Sequence, residues 1–86
     1  MFEFKDKSIL ITGGTGSLGR ALTQHILINH SEIKKLVIFS RDEQKQFQMA
    51  QDFPVSKFPQ IRFFIGDVRD RERLVRAFKE IDYVIH

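Results

Sequence analysis

The sequence predicts an α/β fold in which a parallel sheet lies between two layers of helices. Short apolar runs alternate along the chain with longer segments of helical periodicity, in the order β-α-β-α-β-α-β. A cluster of glycines separates the first apolar run from the first helical segment. Such alternation is typical of right-handed βαβ units, and a glycine cluster at this point is typical of a Rossmann-type fold. We therefore expect part of a Rossmann-type three-layer fold, with about four strands in the order 3-2-1-4.

The first half of the chain predicts two strands and the helix between them. Ser8–Thr12 is an apolar run that ends at the glycines, as buried parallel strands often do. Residues 15–30 repeat apolar side chains from Leu18 to Ile28, so we expect a helix of about four turns. Leu36–Phe39 is a second apolar run and predicts the second buried strand.

The second half continues the alternation. Residues 42–52 hold few helix breakers and predict a short helix, and a loop with both prolines follows. Residues 61–65 predict the third strand, 70–80 the third helix, and 82–86 the beginning of a fourth strand. Helices normally cover both faces of such a sheet, and none follows the fourth strand. We therefore expect residues 1–86 to be the N-terminal part of a larger dinucleotide-binding Rossmann domain, truncated within the fourth strand.

Two features of the surface bear on partners. The uncovered sheet at Val84 and Ile85 would expose apolar side chains, so we expect a homo-oligomer. The net charge is +3, and much of the excess lies in one basic run: Arg69, Arg71, Arg73, Arg76 and Lys79. These residues interleave with apolar ones at helical spacing, which indicates the solvated face of an amphipathic helix. The interpretation that they bind nucleic acid is disfavoured.

Composition excludes several other classes of protein. The 86 residues fit one small domain. There is no cysteine, hence neither a disulfide nor a thiolate metal site. No apolar run approaches the length of a membrane span, and residues 1–7 mix phenylalanine with charges, unlike a signal peptide. A cytoplasmic protein is the expectation.

The glycine cluster predicts a phosphate-binding loop. Gly13, Gly16 and Gly19 are spaced G-x-x-G-x-x-G. One glycine permits the tight turn after the strand, another lets the backbone approach a pyrophosphate, and the last allows close helix packing. Free N–H groups at the helix N-terminus would bind the phosphates. The predicted binding residues are Gly13, Thr15, Gly16, Ser17, Leu18 and Gly19. The alternative is a turn without a ligand; a Walker A loop is excluded, because no Gly-Lys-Ser/Thr follows.

The end of the second strand favours NADP over NAD. Arg41 offers a guanidinium suited to the 2′-phosphate of NADP, and Lys45 lies one helical turn further on. Ser40 and Asp42 flank Arg41 and belong to the predicted site. Two alternatives stay open. Ser40 with Glu43 forms a capping box for the following helix, and Asp42 could be the acidic ribose ligand of an NAD enzyme.

Asp67 and Val68 follow the third strand and are placed to meet the adenine of a dinucleotide. The alternative is a simple strand-to-helix turn. His25 and His30 lie on or just after the first helix and are interpreted as surface or cap residues. No set of His, Asp or Glu has the spacing of a metal site, so none is predicted.

Three segments together resemble a known family: ILITGGTGSLG at residues 9–19, FSRDE at residues 39–43 and GDVRD at residues 66–70. The glycine loop resembles the extended short-chain dehydrogenase/reductase superfamily. The set is more narrowly similar to the inverting UDP-N-acetylglucosamine 4,6-dehydratases of bacterial surface-polysaccharide and pseudaminic acid biosynthesis. The resemblance covers essentially the whole chain but only about the first quarter of such an enzyme.

The resemblance implies a reaction. NADP would take hydride from C4 of UDP-N-acetylglucosamine, water would be lost across C5–C6, and hydride would return to C6 with inversion at C5. The family's tyrosine, lysine and acidic catalytic groups lie downstream of the fourth strand. Tyr83 is the only tyrosine and no lysine follows it, so we interpret it as strand packing. His86 matches a position near the cofactor. The resemblance thus implies no catalytic residue in this chain and no activity of the chain alone.

Two rival hypotheses stay open. A nucleotide-sugar 4-epimerase would share the same N-terminal part, and fold analogy does not separate the two. A dinucleotide-binding module or redox sensor without catalysis is the other rival.

Overall fold

The computed structural model describes residues 4–86, so the first three residues of the N-terminal segment distinguished above from a signal peptide lie outside the described part. Strands and helices alternate as predicted. The elements are β1 (Ser8–Thr12), α1 (Ser17–Asn29), β2 (Lys35–Ser40), α2 (Glu43–Asp52), β3 (Ile61–Ile65), α3 (Arg71–Phe78) and β4 (Tyr83–Ile85). The strands form one parallel sheet in the order β3-β2-β1-β4, which confirms the predicted Rossmann-type topology.

The strand order places a ligand site at one edge of the sheet. The chain proceeds outward from β1 through β2 to β3, then returns to pair β4 with the other side of β1. Thr12 lies opposite Phe39 of β2, and Ile11 lies opposite Ile85 of β4. The carboxyl ends of all these strands therefore meet beside the point where the order reverses, which is where open α/β sheets bind ligands.

Side chains alternate between the two faces of the sheet and build two cores. Ile9, Ile11 and Ile38 point to the face covered by α1 and α2, where Met49 is fully buried. The opposite face, under α3, buries a smaller set of Leu10, Val37, Phe39 and Ala77. Helices therefore cover both faces, as the three-layer prediction requires.

Helix α1 differs from the prediction in its bounds. It begins at Ser17 instead of residue 15, because Thr15 belongs to the glycine turn. Leu18 and Ile28, two of the apolar residues that indicated this helix, are 73% and 62% exposed. The face that packs on the sheet is formed by Gly19, Thr23, Ile26 and Leu27. Gly19 decides this orientation, because it lies directly against the backbone of Gly14.

The capping box predicted from Ser40 and Glu43 is wrong. Strand β2 extends through Ser40, whose partner in the ladder is Ile65, so Ser40 cannot also be the N-cap of α2. Asp42 is the N-cap instead, and its Oδ1 accepts a hydrogen bond from the backbone N of Lys45 at 2.9 Å. Helix α3 is capped in the same way by Asp70. Both caps satisfy donors that a helix N-terminus otherwise leaves free.

The basic run is only partly a solvated helix face. Arg71, Arg76 and Lys79 are exposed as predicted. Arg73 is half-buried instead: its Nε donates to the carbonyl of Ile65 at 2.7 Å, and its guanidinium lies 4.3 Å from the centre of the Phe64 ring. Arg69 precedes α3, so the helical spacing of the basic run does not predict which way its side chain points.

Strand β4 leaves less apolar surface uncovered than the sequence suggested. Ile85 is half-buried and packs against the core beneath α1 and α2, so the expected exposure is wrong for this residue. Tyr83 packs in the same core, as predicted, at 5.7 Å from the Phe4 ring. Val84 points to the opposite face and is 46% exposed. Within residues 4–86, no helix has the length and apolarity needed to cross a membrane.

Candidate functional site

A cleft of about 570 Å³ opens at the carboxyl ends of the strands. Its walls come from the ends of β1 to β4 and the turns that follow them. The lining residues are Thr12, Gly13, Thr15, Phe39, Ser40, Arg41, Asp42, Asp67, Val68, Arg69 and His86. A second, smaller cavity of about 70 Å³ lies on the α1 side, and Leu18 and Gly19 contribute to its wall. Most of the predicted site residues therefore line these two cavities at one edge of the sheet; Gly16, Ser17 and Lys45 do not.

The glycines of the loop have different physical roles. Gly13 has a φ of 62°, a left-handed conformation that favours glycine, and it makes the turn out of β1. A Cβ at Gly19 would overlap the backbone of Gly14, so glycine there permits the close approach of α1 to the loop. Gly16 is different, because a Cβ would make only an ordinary contact with the Gly13 carbonyl at 3.6 Å. The fold itself does not require glycine at position 16.

The N-terminus of α1 is open to an anion. Its N-cap is Gly16, which offers no side-chain hydrogen bond, and its first turn holds no acidic residue. The first N–H groups of a helix have no partner within the helix. Each of the other two helices of residues 4–86 begins with a capping aspartate and carries a glutamate in its first turn. Only α1 therefore combines a positive dipole end with uncapped N–H groups, the arrangement that binds phosphate.

A buried amide holds the end of β2 in place. Gln46 on α2 is 3% exposed, and its Nε2 lies 3.2 Å from the carbonyl oxygen of Ser40 and 3.0 Å from that of Phe64. The same amide lies 3.3 Å from Ser40 Oγ, which accepts from the backbone N of Asp42 at 3.2 Å. Sequence reasoning missed Gln46, because a glutamine within a polar helix carries no signal of burial.

Arg41 and Asp42 follow β2 at the mouth of the cleft. Arg41 is exposed, and its Nη1 lies 3.5 Å from Oδ2 of Asp67, which follows β3. The Asp42 carboxylate is engaged in the N-cap of α2. Lys45, also predicted for this site, lines neither cavity, and its backbone N–H is taken up by the Asp42 cap.

Asp67 is bound at close range by Arg69. Its Oδ1 accepts from the backbone N of Arg69 at 2.9 Å, and its Oδ2 accepts from Arg69 Nη2 at 2.7 Å. Arg69 Nε lies 3.1 Å and 3.2 Å from the two carboxylate oxygens. The hydrogen bonds from the side chain and backbone of Arg69 hold the pKa of Asp67 well below its usual range. The same bonds raise the pKa of Arg69, so this is a fully ionised pair at neutral pH.

The structure also adds residues that sequence reasoning missed. Arg69 belongs to the cleft wall, as do Thr12 and Phe39 at the ends of their strands. Thr12 Oγ1 lies 2.6 Å from Nδ1 of His86, and this contact links the ends of β1 and β4. The signal for Thr12 and Phe39 was their position at strand ends. The structure brings Gly16 and Ser17 to the N-terminus of α1, although neither lines a cavity.

The remaining histidines have structural surroundings. His30 is the C-cap of α1 and packs edge-on against Phe4 with 4.9 Å between ring centres. His25 is exposed and lies 3.2 Å from the side-chain amide of Asn29. Both match their interpretation as cap and surface residues. In the described range, residues 4–86, no three His, Asp or Glu side chains group together as metal ligands would.

The sequence pattern of the family described as polysaccharide biosynthesis protein matches residues 9–86. The chain belongs to this polysaccharide biosynthesis family. Among the family's relatives, the chain is 53% identical over 83 residues to a UDP-N-acetylglucosamine 4,6-dehydratase (inverting) of Campylobacter jejuni subsp. jejuni serotype O:2, covering 96% of this chain and 24% of the relative. It is 47% identical over 85 residues to a UDP-glucose 4-epimerase of Rickettsia bellii, with the same coverage. The resemblance to the dehydratases is confirmed, and the chain spans about a quarter of the length of these relatives.

Solved structures agree with the fold of this family member. Pen from Bacillus thuringiensis superposes with a TM-score of 0.88 at 40% identity, covering 99% of this chain and 26% of that one. A short-chain dehydrogenase/reductase from Brucella melitensis superposes with a TM-score of 0.69 at 21% identity, covering 96% of this chain and 36% of that one. The second match shows that the fold is the one found in short-chain dehydrogenases/reductases.

Proposed function

We propose that this chain is the NADP-binding, N-terminal part of a nucleotide-sugar 4,6-dehydratase that acts on UDP-N-acetylglucosamine. The observation that carries the proposal is the uncapped N-terminus of α1 beside a cleft whose far wall holds Arg41. The 53% identical relative, a UDP-N-acetylglucosamine 4,6-dehydratase, supports this choice of sugar substrate.

Each part of the dinucleotide has a matching group of residues. The pyrophosphate would lie at the N-terminus of α1, where the fold leaves room beside Gly16 and offers the N–H groups of Ser17, Leu18 and Gly19. Gly13 and Thr15 would shape the turn beneath it. The phosphorylated ribose would lie against the end of β2, and the adenine against the turn after β3: Ser40, Arg41, Asp42, Lys45, Asp67 and Val68.

Two observations support NADP over NAD. Arg41 is an exposed guanidinium at the position where a 2′-phosphate is bound in this fold. Asp42, the alternative ribose ligand of an NAD enzyme, already accepts a hydrogen bond as the N-cap of α2. Its carboxylate therefore serves the helix, whereas the Arg41 guanidinium is 72% exposed and makes one long contact, to Asp67 at 3.5 Å. Calorimetric titration with NADP and NAD tests the proposal, and equal affinity for the two would contradict it.

The chemistry of the proposed enzyme is divided between the cofactor and the rest of the protein. NADP, when bound, would supply a hydride acceptor for C4 of the sugar and return the hydride to C6. The residues of this chain bind and orient the dinucleotide. They include no Tyr-x-x-x-Lys pair, since Tyr83 is the only tyrosine and no lysine follows it. We therefore infer that the chain contributes cofactor binding and no acid–base group.

A 4-epimerase is the second candidate, favoured by the 47% identical Rickettsia relative. Both reactions begin with hydride removal at C4, so they require the same cofactor cleft. Dehydration removes one water from the nucleotide sugar, whereas epimerisation leaves its mass unchanged. Mass spectrometry of UDP-N-acetylglucosamine incubated with the parent enzyme separates the two candidates. A parent protein that binds NADP and transforms no sugar would indicate a non-catalytic dinucleotide-binding module.

We also infer that the protein forms a homo-oligomer. Val84 is 46% exposed on β4, which pairs with β1 along one edge. Apolar surface at the edge of a sheet favours association with a second copy. Light scattering over a range of concentrations tests this, and a monomer at the highest concentration would contradict it.

A further inference from the structure

Asp67 and Arg69 form an Asx turn, and the guanidinium of Arg69 adds a side-chain contact to the backbone bond of that turn. Arg69 directs its backbone N–H, its Nε and its Nη2 to the one carboxylate of Asp67. The backbone bond fixes Oδ1, and the planar guanidinium spans both oxygens. The carboxylate is therefore held in both position and rotation.

This pair has little to do for the stability of the fold. The Arg69 side chain is 78% exposed, and exposed ion pairs contribute little because water and salt screen them. Asp67 is also not the cap of α3, since Asp70 has that role. The pair instead lies in the wall of the cleft, where the Asp67 side chain is 29% exposed. What the arrangement secures is the orientation of a carboxylate in the wall of the cleft.

An ionised carboxylate distinguishes purine bases by their 6-substituent. It only accepts hydrogen bonds, so it complements the 6-amino group of adenine. It opposes the 6-oxo group of hypoxanthine, which also only accepts. The neighbouring N1–H of hypoxanthine is a donor, so only a carboxylate held at the 6-substituent rejects this base. A carboxylate that could rotate or take up a proton would discriminate less, because a protonated carboxyl donates a hydrogen bond. Selectivity for the base therefore depends on whatever keeps the carboxylate fixed and ionised.

We propose that Arg69 is a positioning residue that makes the cleft selective for dinucleotides with a 6-aminopurine base, by fixing Asp67 as an acceptor. This inference rests on the proposed function, since it requires that a dinucleotide occupies the cleft. In this proposal Arg69 acts through Asp67 and not by a contact of its own with the base or the phosphates. Arg41 also reaches Asp67, but at 3.5 Å and through one nitrogen, so it cannot replace the guanidinium that spans both oxygens.

The experiment titrates NADP, NAD and nicotinamide hypoxanthine dinucleotide phosphate. The last differs from NADP in the 6-substituent of its base and in the proton on ring nitrogen N1. Calorimetric titrations use the wild type, Arg69→Gln and Arg69→Lys. The matched control is Arg71→Gln, which removes the same charge at an exposed position outside the cleft. We expect the wild type and Arg71→Gln to bind NADP about tenfold or more tightly than the hypoxanthine analogue. Both Arg69 variants should lose most of that ratio, because a lysine keeps the charge but lacks the planar fork.

The outcomes separate this inference from the proposed function. A wild-type ratio near one, or a ratio that the Arg69 variants retain, overturns the inference while NADP binding still stands. A loss of NADP affinity in Arg69→Gln without a matching loss for NAD would mean that Arg69 contacts the 2′-phosphate, which also overturns it. Failure of the wild type to bind any dinucleotide overturns the proposed function itself. If Arg69→Gln fails to fold by circular dichroism, the Arg69→Lys ratio decides.

Discussion

The side-chain amide of Gln46 donates a hydrogen bond to the backbone carbonyl of Phe64 at 3.0 Å, across from α2 to the end of β3. The same Nε2 lies 3.2 Å from the carbonyl of Ser40 at the end of β2. One buried amide thus holds together the two strand ends that form the cleft wall. Its effect on the cleft is geometric, because it fixes the backbone from which Arg41 and Asp67 extend.

Replacing this amide should destabilise the protein. Gln46→Leu keeps the approximate volume but leaves the carbonyls of Ser40 and Phe64 without that donor, at a cost of about 1–3 kcal/mol in the free energy of unfolding. Urea denaturation followed by circular dichroism measures it. Gln48→Leu is the control, because Gln48 is exposed on the same helix. Equal midpoints for the two variants would show that the buried hydrogen bonds contribute nothing.

Two glycines of the loop should respond in opposite ways to an added side chain. Gly16→Val should fold, because a Cβ at Gly16 meets only the Gly13 carbonyl at 3.6 Å, but it should not bind NADP. Gly19→Ala should lose about 1–3 kcal/mol of stability, because its Cβ overlaps the backbone of Gly14. Thermal unfolding and NADP titration of both variants test this contrast. If the Gly16→Val variant binds NADP normally, the glycine loop is a turn without a role in cofactor binding.

Arg41 should decide the preference between the two nicotinamide dinucleotides. Arg41→Ala removes a charged contact to phosphate, and we expect its affinity for NADP to fall roughly ten- to hundredfold. Its affinity for NAD should change much less, since NAD lacks the 2′-phosphate. Arg76→Ala is the control, an exposed arginine on α3 outside the cleft. An equal loss of affinity for both dinucleotides would indicate a general electrostatic effect.

The pKa of Asp67 should depend on Arg69. The side-chain and backbone hydrogen bonds of Arg69 lower this pKa from its ordinary value of 3.8. Because the folded pKa lies below the ordinary one, any stability from this pair is present above pH 3.8 and is lost as the pH falls through the folded value. That contribution is small, since the Arg69 side chain is exposed. Carboxyl 13C chemical shifts should therefore show Asp67 still ionised at about pH 3 in the wild type, and titrating closer to its usual range in Arg69→Gln. Matching titration curves for the two proteins would refute the assignment.

The chain by itself should not dehydrate UDP-N-acetylglucosamine. An acid–base group must reach the C5 proton, and the chain carries no tyrosine–lysine pair to supply one. The chain is incubated with NADP and the nucleotide sugar, and the products are followed by mass spectrometry. Loss of a water mass above a control without protein would place the active site within these residues.

The amino-acid sequence by itself determined the order of the elements and the place of the cleft. Apolar runs such as Ser8–Thr12 are too short for a typical helix and end at glycines, which favours strands. Their alternation with helical segments favours a parallel sheet covered on both faces. The spacing of Gly13, Gly16 and Gly19 then marks the turn at the carboxyl end of β1. These are local signals, since each depends on residues within a few positions of one another.

The tertiary structure alone decided which side chains complete the site. Gln46 is buried only because α2 lies across the ends of β2 and β3. Its partner Phe64 is 18 residues away in the sequence. Arg69 matches the basic pattern of α3, yet the helix begins at Arg71, which frees Arg69 to turn back to Asp67. Helical periodicity constrains a residue only within the helix. Where a helix begins is decided by the cap that packing and the preceding strand allow, and here that cap is Asp70.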